Sequence, residues 1–388
     1  MAEIIIKINF LDQIDSNADM EKLIDVAIIG DGPAGAAAAI MMAKSGLSVC
    51  IIGLPSHNKI MFGETLPPHI KELLIRLGVW KDFLDDGHLA SAGNISAWGD
   101  SQLTESHFIF HPNSYGWHLD RPRFNRMLLN AAKRNGVYCF YSKIEPIKDL
   151  KGHFTIRFKK QNGLILDFNI VTDFIVDATG RSSWFSNRQG IRRIAFDRLC
   201  GYVCFLACKI KGDSDSMTLI ESVSDGWWYS ALLPGNIRVV SFFTDSDLPI
   251  TEFAKTFTGW NLLMRNTKYI RLNLENYDYY NTSGPHIMLS NSSKIEKVNG
   301  ENWLSIGDAT ATYDPLSSNG IVTAINDGIR ASNIIFNYLN GSARYLDEYN
   351  NDISTNFNKY LEKRAFYYKL ENRWADSVFW KRNQAYDS

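Results

Sequence analysis

Residues 24–35 read Ile24-Asp-Val-Ala-Ile-Ile-Gly30-Asp-Gly32-Pro33-Ala34-Gly35. A short apolar run enters a Gly-x-Gly-x-x-Gly turn, and an alanine-rich stretch, 36–43, follows. Strand, glycine turn and helix in that order make a cradle for a pyrophosphate. Gly30 allows the tight turn, Gly32 lets the backbone approach the phosphates, and Gly35 lets helix and strand pack closely. The N-terminus of the helix expected at 36–43 attracts the negative charge, and Pro33 and Ala34 between the glycines count with them as cofactor-binding candidates. The glycine spacing alone is weak evidence; the strand before it and the helix after it give it weight.

The usual fourth element of such a fingerprint is missing. A dinucleotide site normally places an Asp or Glu about 20 residues on, at the end of the second strand, to hold a ribose. Here the second strand, 47–53, ends on Gly53, and no carboxylate occurs from Gly32 to Gly63. Ribose contacts are therefore expected from Ser56, His57 or the backbone, with an affinity weaker than the intact fingerprint would give.

The 388 residues are long enough for two domains. Forty-one basic residues against 42 acidic ones give a net charge of −1, which points to neither a nucleic-acid binder nor a polybasic membrane protein. No apolar run approaches the ~18 residues of a membrane span. The reading is a soluble cytoplasmic protein with no nucleic-acid or membrane partner and no metal. Cys200, Cys204 and Cys208 fall on one face of an apolar strand, where core packing is the expected role rather than a metal or redox site. Residues 4–10 read as an added edge strand or an extension.

Further along, Pro122 and Gly136 bracket a helix, 138–141 reads as a strand, and 154–158 and 164–170 read as a hairpin around Gly163. The run from Phe174 ends in Asp177-Ala178-Thr179-Gly180, placing Thr179 and Gly180 near the cradle. Strand-like runs dominate 186–298, predicting a mostly antiparallel sheet. The strand at 303–306 then leads into Gly307-Asp308, Asp314-Pro315 and Asn319-Gly320-Ile321, which opens a helix, and the tail from Tyr345 reads as helical.

The three separated motifs, in this order, resemble the FAD signatures of flavoprotein monooxygenases with the p-hydroxybenzoate-hydroxylase fold. The resemblance covers 24–335 and implies an α/β (mixed α+β) architecture: a Rossmann-like FAD-binding domain with a parallel sheet (21–60, 115–185 and 298–340), a mostly antiparallel substrate domain (61–114 and 186–297), and a helical C-terminal region (341–388). It implies that Asp308 accepts hydrogen bonds from the ribityl chain, with helix capping as its plainer role. Pro315, Ser317 and Ser318 lie against the flavin ring, and the amides of Asn319, Gly320 and Ile321 face its pyrimidine edge. Arg121 or Arg123 reaches the cofactor, a surface salt bridge being the alternative.

Within that group, Gly63-Glu64-Thr65-Leu66-Pro67 resembles the flavin strap of tryptophan halogenases, and Gly116-Trp117-His118-Leu119-Asp120-Arg121 is shared with them. Gly226-Trp227-Trp228-Tyr229 sits where halogenases carry a tryptophan-rich motif, making Trp227 and Trp228 candidates to line a substrate cleft. Residues 371–380 resemble the C-terminal signature of flavoproteins that mature tryptophylquinone-bearing lysine and glycine oxidases. Halogenation is expected to be absent, because halogenases use a lysine about 30 residues after the strap and none occurs from Asp82 to Ala132; Pro234 also lies seven residues after Trp227 rather than five.

The implied activity is FAD- and O2-dependent hydroxylation of an aromatic ring through a flavin C4a-hydroperoxide. The expected substrate is a tryptophan in the precursor of a quinone-cofactor oxidase. The reductant stays open between NAD(P)H and a separate reductase. Glu64, His118 and Tyr229 are candidate acid or base groups, each with a structural hydrogen bond as its plainer role. A hydroxylase of a small or carrier-bound aromatic metabolite and a flavin-binding maturation chaperone are the alternatives.

Overall fold

The computed structural model describes residues 20–53, 60–148, 152–158, 168–208 and 212–385. Ser56, His57, Gly163 and residues 4–10 lie outside them. Strand Met20–Ile29 sits inside an eight-stranded sheet, with Val49–Gly53 and Tyr138–Tyr141 on one side and Phe168–Asp177, Trp303–Ser305 and Asn299–Gly300 on the other. The pairings of Met20–Ile29 with both neighbours, of Val49–Gly53 with Tyr138–Tyr141, and of Phe168–Asp177 with Trp303–Ser305 are parallel.

The first strand is apolar without alternation because both its faces are covered. Val26 and Ile28 face a cluster built by helices Pro33–Lys44, Arg121–Arg134 and Gly320–Leu339, whereas Ala27 and Ile29 face Ile156, Ile175 and Phe185 on the other side. Phe168–Asp177 is one continuous ten-residue strand, where the sequence suggests a hairpin arm to 170 and a separate strand from 174. Its pairing with the first strand runs from Met20 opposite Phe168 to Ile29 opposite Asp177, and the buried Thr172 hydroxyl donates to the Asp25 carbonyl at 3.2 Å.

Register decides where a ligand sits. Ile29 stands opposite Asp177 and Ile52, and Asp177 opposite Ser305. Gly30, Gly53, Thr179 and Gly307 therefore leave the sheet along one carboxyl edge, the place where open α/β sheets bind ligands.

The second sheet has seven strands in the order Tyr279–Leu289, Leu199–Cys208, Ile237–Asp245, Gly226–Leu233, Met217–Val223, Gly93–Ala97 and Thr104–His107. All its pairings are antiparallel except Met217–Val223 with Gly93–Ala97. One face packs on Trp260, Ile270 and Leu274 from short helices, and Cys200 and Cys204 are buried there. Part of the other face packs on Tyr368, Phe379 and Trp380 from helices Arg344–Leu370 and Val378–Gln384. Among the described residues no helix is long and apolar enough to cross a membrane.

Candidate functional site

At the carboxyl edge, the amide of Gly30 donates to the Ile52 carbonyl at 2.9 Å and that of Ala178 to Ile29 at 2.8 Å, fixing the turn between two strand ends. A Cβ on Gly30, whose φ is +116°, would lie 2.2 Å from the Ala178 carbonyl oxygen, so only glycine fits. Around Gly32 the reverse holds: a Cβ there would meet nothing within 4 Å. Helix Pro33–Lys44 begins on Gly32 with no side chain capping it, so its first-turn amides point into open space and suit an anion.

Asp177 is an organiser of the next turn. Its fully buried carboxylate accepts from Thr179 N and Oγ1, Phe185 N, and Ser186 N and Oγ at 2.6–3.1 Å. Thr179 is thereby engaged internally, its Oγ1 also accepting from Trp184 N at 2.7 Å, while space beside Gly180 is open. Asp308 lies 41 % exposed, with Arg181 Nε 4.0 Å from Oδ2. Behind it, buried Asp327 accepts from Gly307 N at 3.2 Å and so holds the Gly307-Asp308 turn.

Burial pushes the Asp327 carboxyl up to about 7. A group protonated more readily in the folded than in the unfolded chain adds stability at low pH that is lost as pH rises through the folded value. Folding stability contributed at this position is accordingly expected to fall between about pH 4 and pH 7, and Asp327→Asn to flatten that slope. Urea midpoints at half-unit pH steps check it; an unchanged slope in the variant rules it out.

The loop 314–321 is held from the C-terminal region. Buried Asp314 caps Leu316 N at 2.9 Å and accepts from Tyr368 Oη at 2.7 Å and Arg364 Nε at 3.0 Å, while its own amide donates to Tyr360 Oη at 2.7 Å. Pro315, Ser318 and Asn319 are partly exposed beyond it. Helix Gly320–Leu339 starts on Asn319, again with no side-chain cap.

Facing this helix end is the strap. Strand Thr65–Leu66 pairs with Gly116–His118, and the Leu119 amide donates to the Glu64 carbonyl at 2.7 Å. A Cβ on Gly63 would lie 4.0 Å from Arg121 Nη1 and 3.9 Å from Ile321 Cδ1, which puts the Arg121 guanidinium next to the helix N-terminus. Glu64 Oε1 and Arg121 Nε and Nη1 are buried without hydrogen-bond partners. Burial lifts the Glu64 carboxyl to about 7 against the pull of Arg121, and lowers Arg121 to about 10. Tyr229 Oη is hydrogen-bonded to Thr65 Oγ1.

Several expected residues fall elsewhere. Arg123 turns outward, donating to the Asp86 carbonyl at 2.7 Å and lying 3.7 Å from Asp120, so the arginine facing the site is Arg121. His118 is buried with Nε2 at 3.0 Å from Thr218 Oγ1; burial lowers it to about 4 and keeps it neutral. Trp227 and Trp228 do not form a cleft wall. Neighbours on a strand point to opposite faces, and both are 1 % exposed: Trp227 stacks on Phe243 and donates to Tyr368 Oη, and Trp228 stacks on Phe242 against Trp260.

The C-terminal stretch 371–380 is an internal clamp. Glu371 accepts from Gly99 N, Ser222 Oγ and Arg373, and Trp380 Nε1 donates to the Val223 carbonyl at 2.9 Å. Neither this role nor those of Asp327 and Arg364 is readable from spacing, because apart from Arg373 beside Glu371 the partners lie far away in the chain.

Two uncapped helix ends, an open glycine turn, and unpartnered buried polar atoms on Glu64 and Arg121 along one sheet edge fit FAD. The chain is an FAD-dependent oxidoreductase. Its residues 100–388 match the model of the tryptophan halogenase family, and it belongs to that family. The putative FAD-dependent oxidoreductase LodB of Marinomonas mediterranea is 26 % identical over 372 residues, 94 % of this chain and 98 % of the relative. The myxobacterial chondrochloren halogenase CndH superposes with a TM-score of 0.81 at 21 % identity, covering 95 % of this chain and 87 % of its own. The peptidyl tryptophan dihydroxylase QhpG, essential for tryptophylquinone cofactor biogenesis, superposes with a TM-score of 0.67 at 20 % identity, covering 94 % and 79 %.

Proposed function

We infer that this chain is a monooxygenase that hydroxylates a tryptophan side chain of a partner protein precursor in tryptophylquinone biogenesis. The observation that carries the reading is the buried, unpartnered polar atoms of Glu64 and Arg121 near the Gly320 helix end, in a chain with no lysine across residues 82–132. Lys81 and Lys133, which bracket that stretch, are both exposed. An acid and a fixed cation suit oxygen transfer, and no lysine stands in the stretch where the halogenase resemblance would place one to handle a hypohalous acid. The fold shared with QhpG, a peptidyl tryptophan dihydroxylase, supports the tryptophan substrate, and full-length similarity to LodB supports the FAD-dependent oxidoreductase class.

Bound reduced FAD supplies the activation of O2. The N-terminal amides of helix Pro33–Lys44, from Ala34 onward, those of helix Gly320–Leu339 and the Arg121 guanidinium would hold and polarise the cofactor, and the Thr65–Tyr229 hydrogen bond braces the strap. Glu64, protonated near neutrality, holds a proton at Oε1 for transfer as oxygen is delivered. Glu64→Gln is expected to lower turnover by about 10²-fold or more and to remove a limb of the pH–rate profile near 7, where activity declines as Glu64 loses its proton. A variant retaining that limb assigns it to another group.

The direct test incubates the purified protein with the precursor oxidase, a reductant, O2 and bromide. Oxygen added to a tryptophan supports the proposal. An unmodified precursor overturns it, and a bromine isotope pattern favours halogenation instead.

A further inference from the structure

The carboxylate missing from the end of the second strand leaves the adenosine ribose without its usual acceptor. At the strand end, residue 53 has no side chain, and a Cβ there would lie 2.7 Å from the ring of Tyr141, its partner in register on the next strand. A side chain at 53 is thus excluded unless Tyr141 moves. The same spot already has a carboxylate beside it: Asp31 Oδ2 lies 3.1 Å from where that Cβ would stand. Asp31 is carried there by the glycine turn itself, whose Gly30 amide is tied to the Ile52 carbonyl one residue before Gly53.

We propose that Asp31, the residue between the first two glycines of the cradle, accepts the hydroxyls of the FAD adenosine ribose in place of the acid absent from position 53. A carboxylate takes two vicinal hydroxyls through charge-assisted hydrogen bonds, and what matters is where its oxygens lie, not which strand end supplies them. Asp31 is partly exposed at this edge, so it is reachable by a ligand. Tyr141 fits as the second half of the subsite. It is 55 % exposed with its phenol against the Asp31 carboxylate, and partial burial together with that carboxylate pushes its ionisation up to about 12. The inference rests on the Gly30–Gly35 turn being the pyrophosphate site.

The test is equilibrium binding, read from flavin fluorescence, of FAD and of an FAD analogue lacking both adenosine ribose hydroxyls. The original chain is expected to bind FAD about tenfold more tightly than the analogue, as suits a hydrogen bond to a charged group. Asp31→Asn is expected to bind the two equally, with its FAD affinity falling to that of the analogue. Persistence of the preference in Asp31→Asn, or its absence in the original chain, overturns the assignment. Failure of the original chain to bind FAD at all defeats the pyrophosphate reading along with this one, whereas binding with a preference indifferent to Asp31 defeats this one alone.

Discussion

Gly30→Ala is expected to leave the protein unable to retain FAD and less stable by about 3 kcal/mol or more. The methyl group would stand 2.2 Å from the Ala178 carbonyl oxygen, on a backbone whose φ of +116° side chains rarely adopt. Relief requires the strand ends at Ile29 and Asp177 to separate, and their register aligns the whole carboxyl edge. Gly32→Ala is the matched control: φ is −75° and nothing lies within 4 Å of its Cβ. It should fold normally and lose FAD affinity only, because the methyl intrudes on the phosphates. Thermal melting and flavin titration of both variants separate fold from cradle. A Gly30→Ala protein that melts normally and stays yellow would refute the steric argument.

Arg364→Met is expected to destabilise the protein by about 3–5 kcal/mol, the usual result of stranding a buried charge. Asp314 and Asp197 both face the Arg364 guanidinium, with N–O distances of 3.0 and 3.5 Å, and all three side chains are less than 10 % exposed. Burial already raises the Asp314 carboxyl above its ordinary range, and losing the cation raises it further. The damage should therefore be greatest at high pH, where Asp314 must stay ionised, and smaller as pH falls and it takes up a proton. FAD affinity should drop as well, since Asp314 shapes the loop that leads into Gly320. Equal stability of variant and parent at pH 8 in urea would show that the cluster carries no net weight.

Both predictions bear on what the chain reveals before folding. The cradle was readable because its determinants are local: a strand, three glycines at fixed spacing and a helix all fall within residues 20–44, and backbone sterics decide their conformation. The motifs at 177–180 and 307–321 were readable for the same reason, and their order along the chain pointed to the class of cofactor. Trp227 and Trp228, candidates from the sequence to line a cleft, are each 1 % exposed and packed on opposite faces of their sheet. The alternation of the strand was visible, but not that separate sets of helices cover its two faces. The choice between Arg121 and Arg123 was equally closed to sequence, since two residues two apart on a helix differ only in what the fold sets against them.

By itself, then, the sequence determined the α/β class and the strand–glycine turn–helix unit, which follow from short-range geometry and residue type, while FAD was implied by the resemblance of three separated motifs to a known family. Only the tertiary structure decided which ionisable groups act together. The charge of Arg121 acts on Glu64 across 57 positions, Asp314 is neutralised by a helix fifty residues on, and Asp31 reaches the place left bare at Gly53. Burial and charge pairing are properties of space, and they set the pKa values and orphaned atoms on which the chemistry depends.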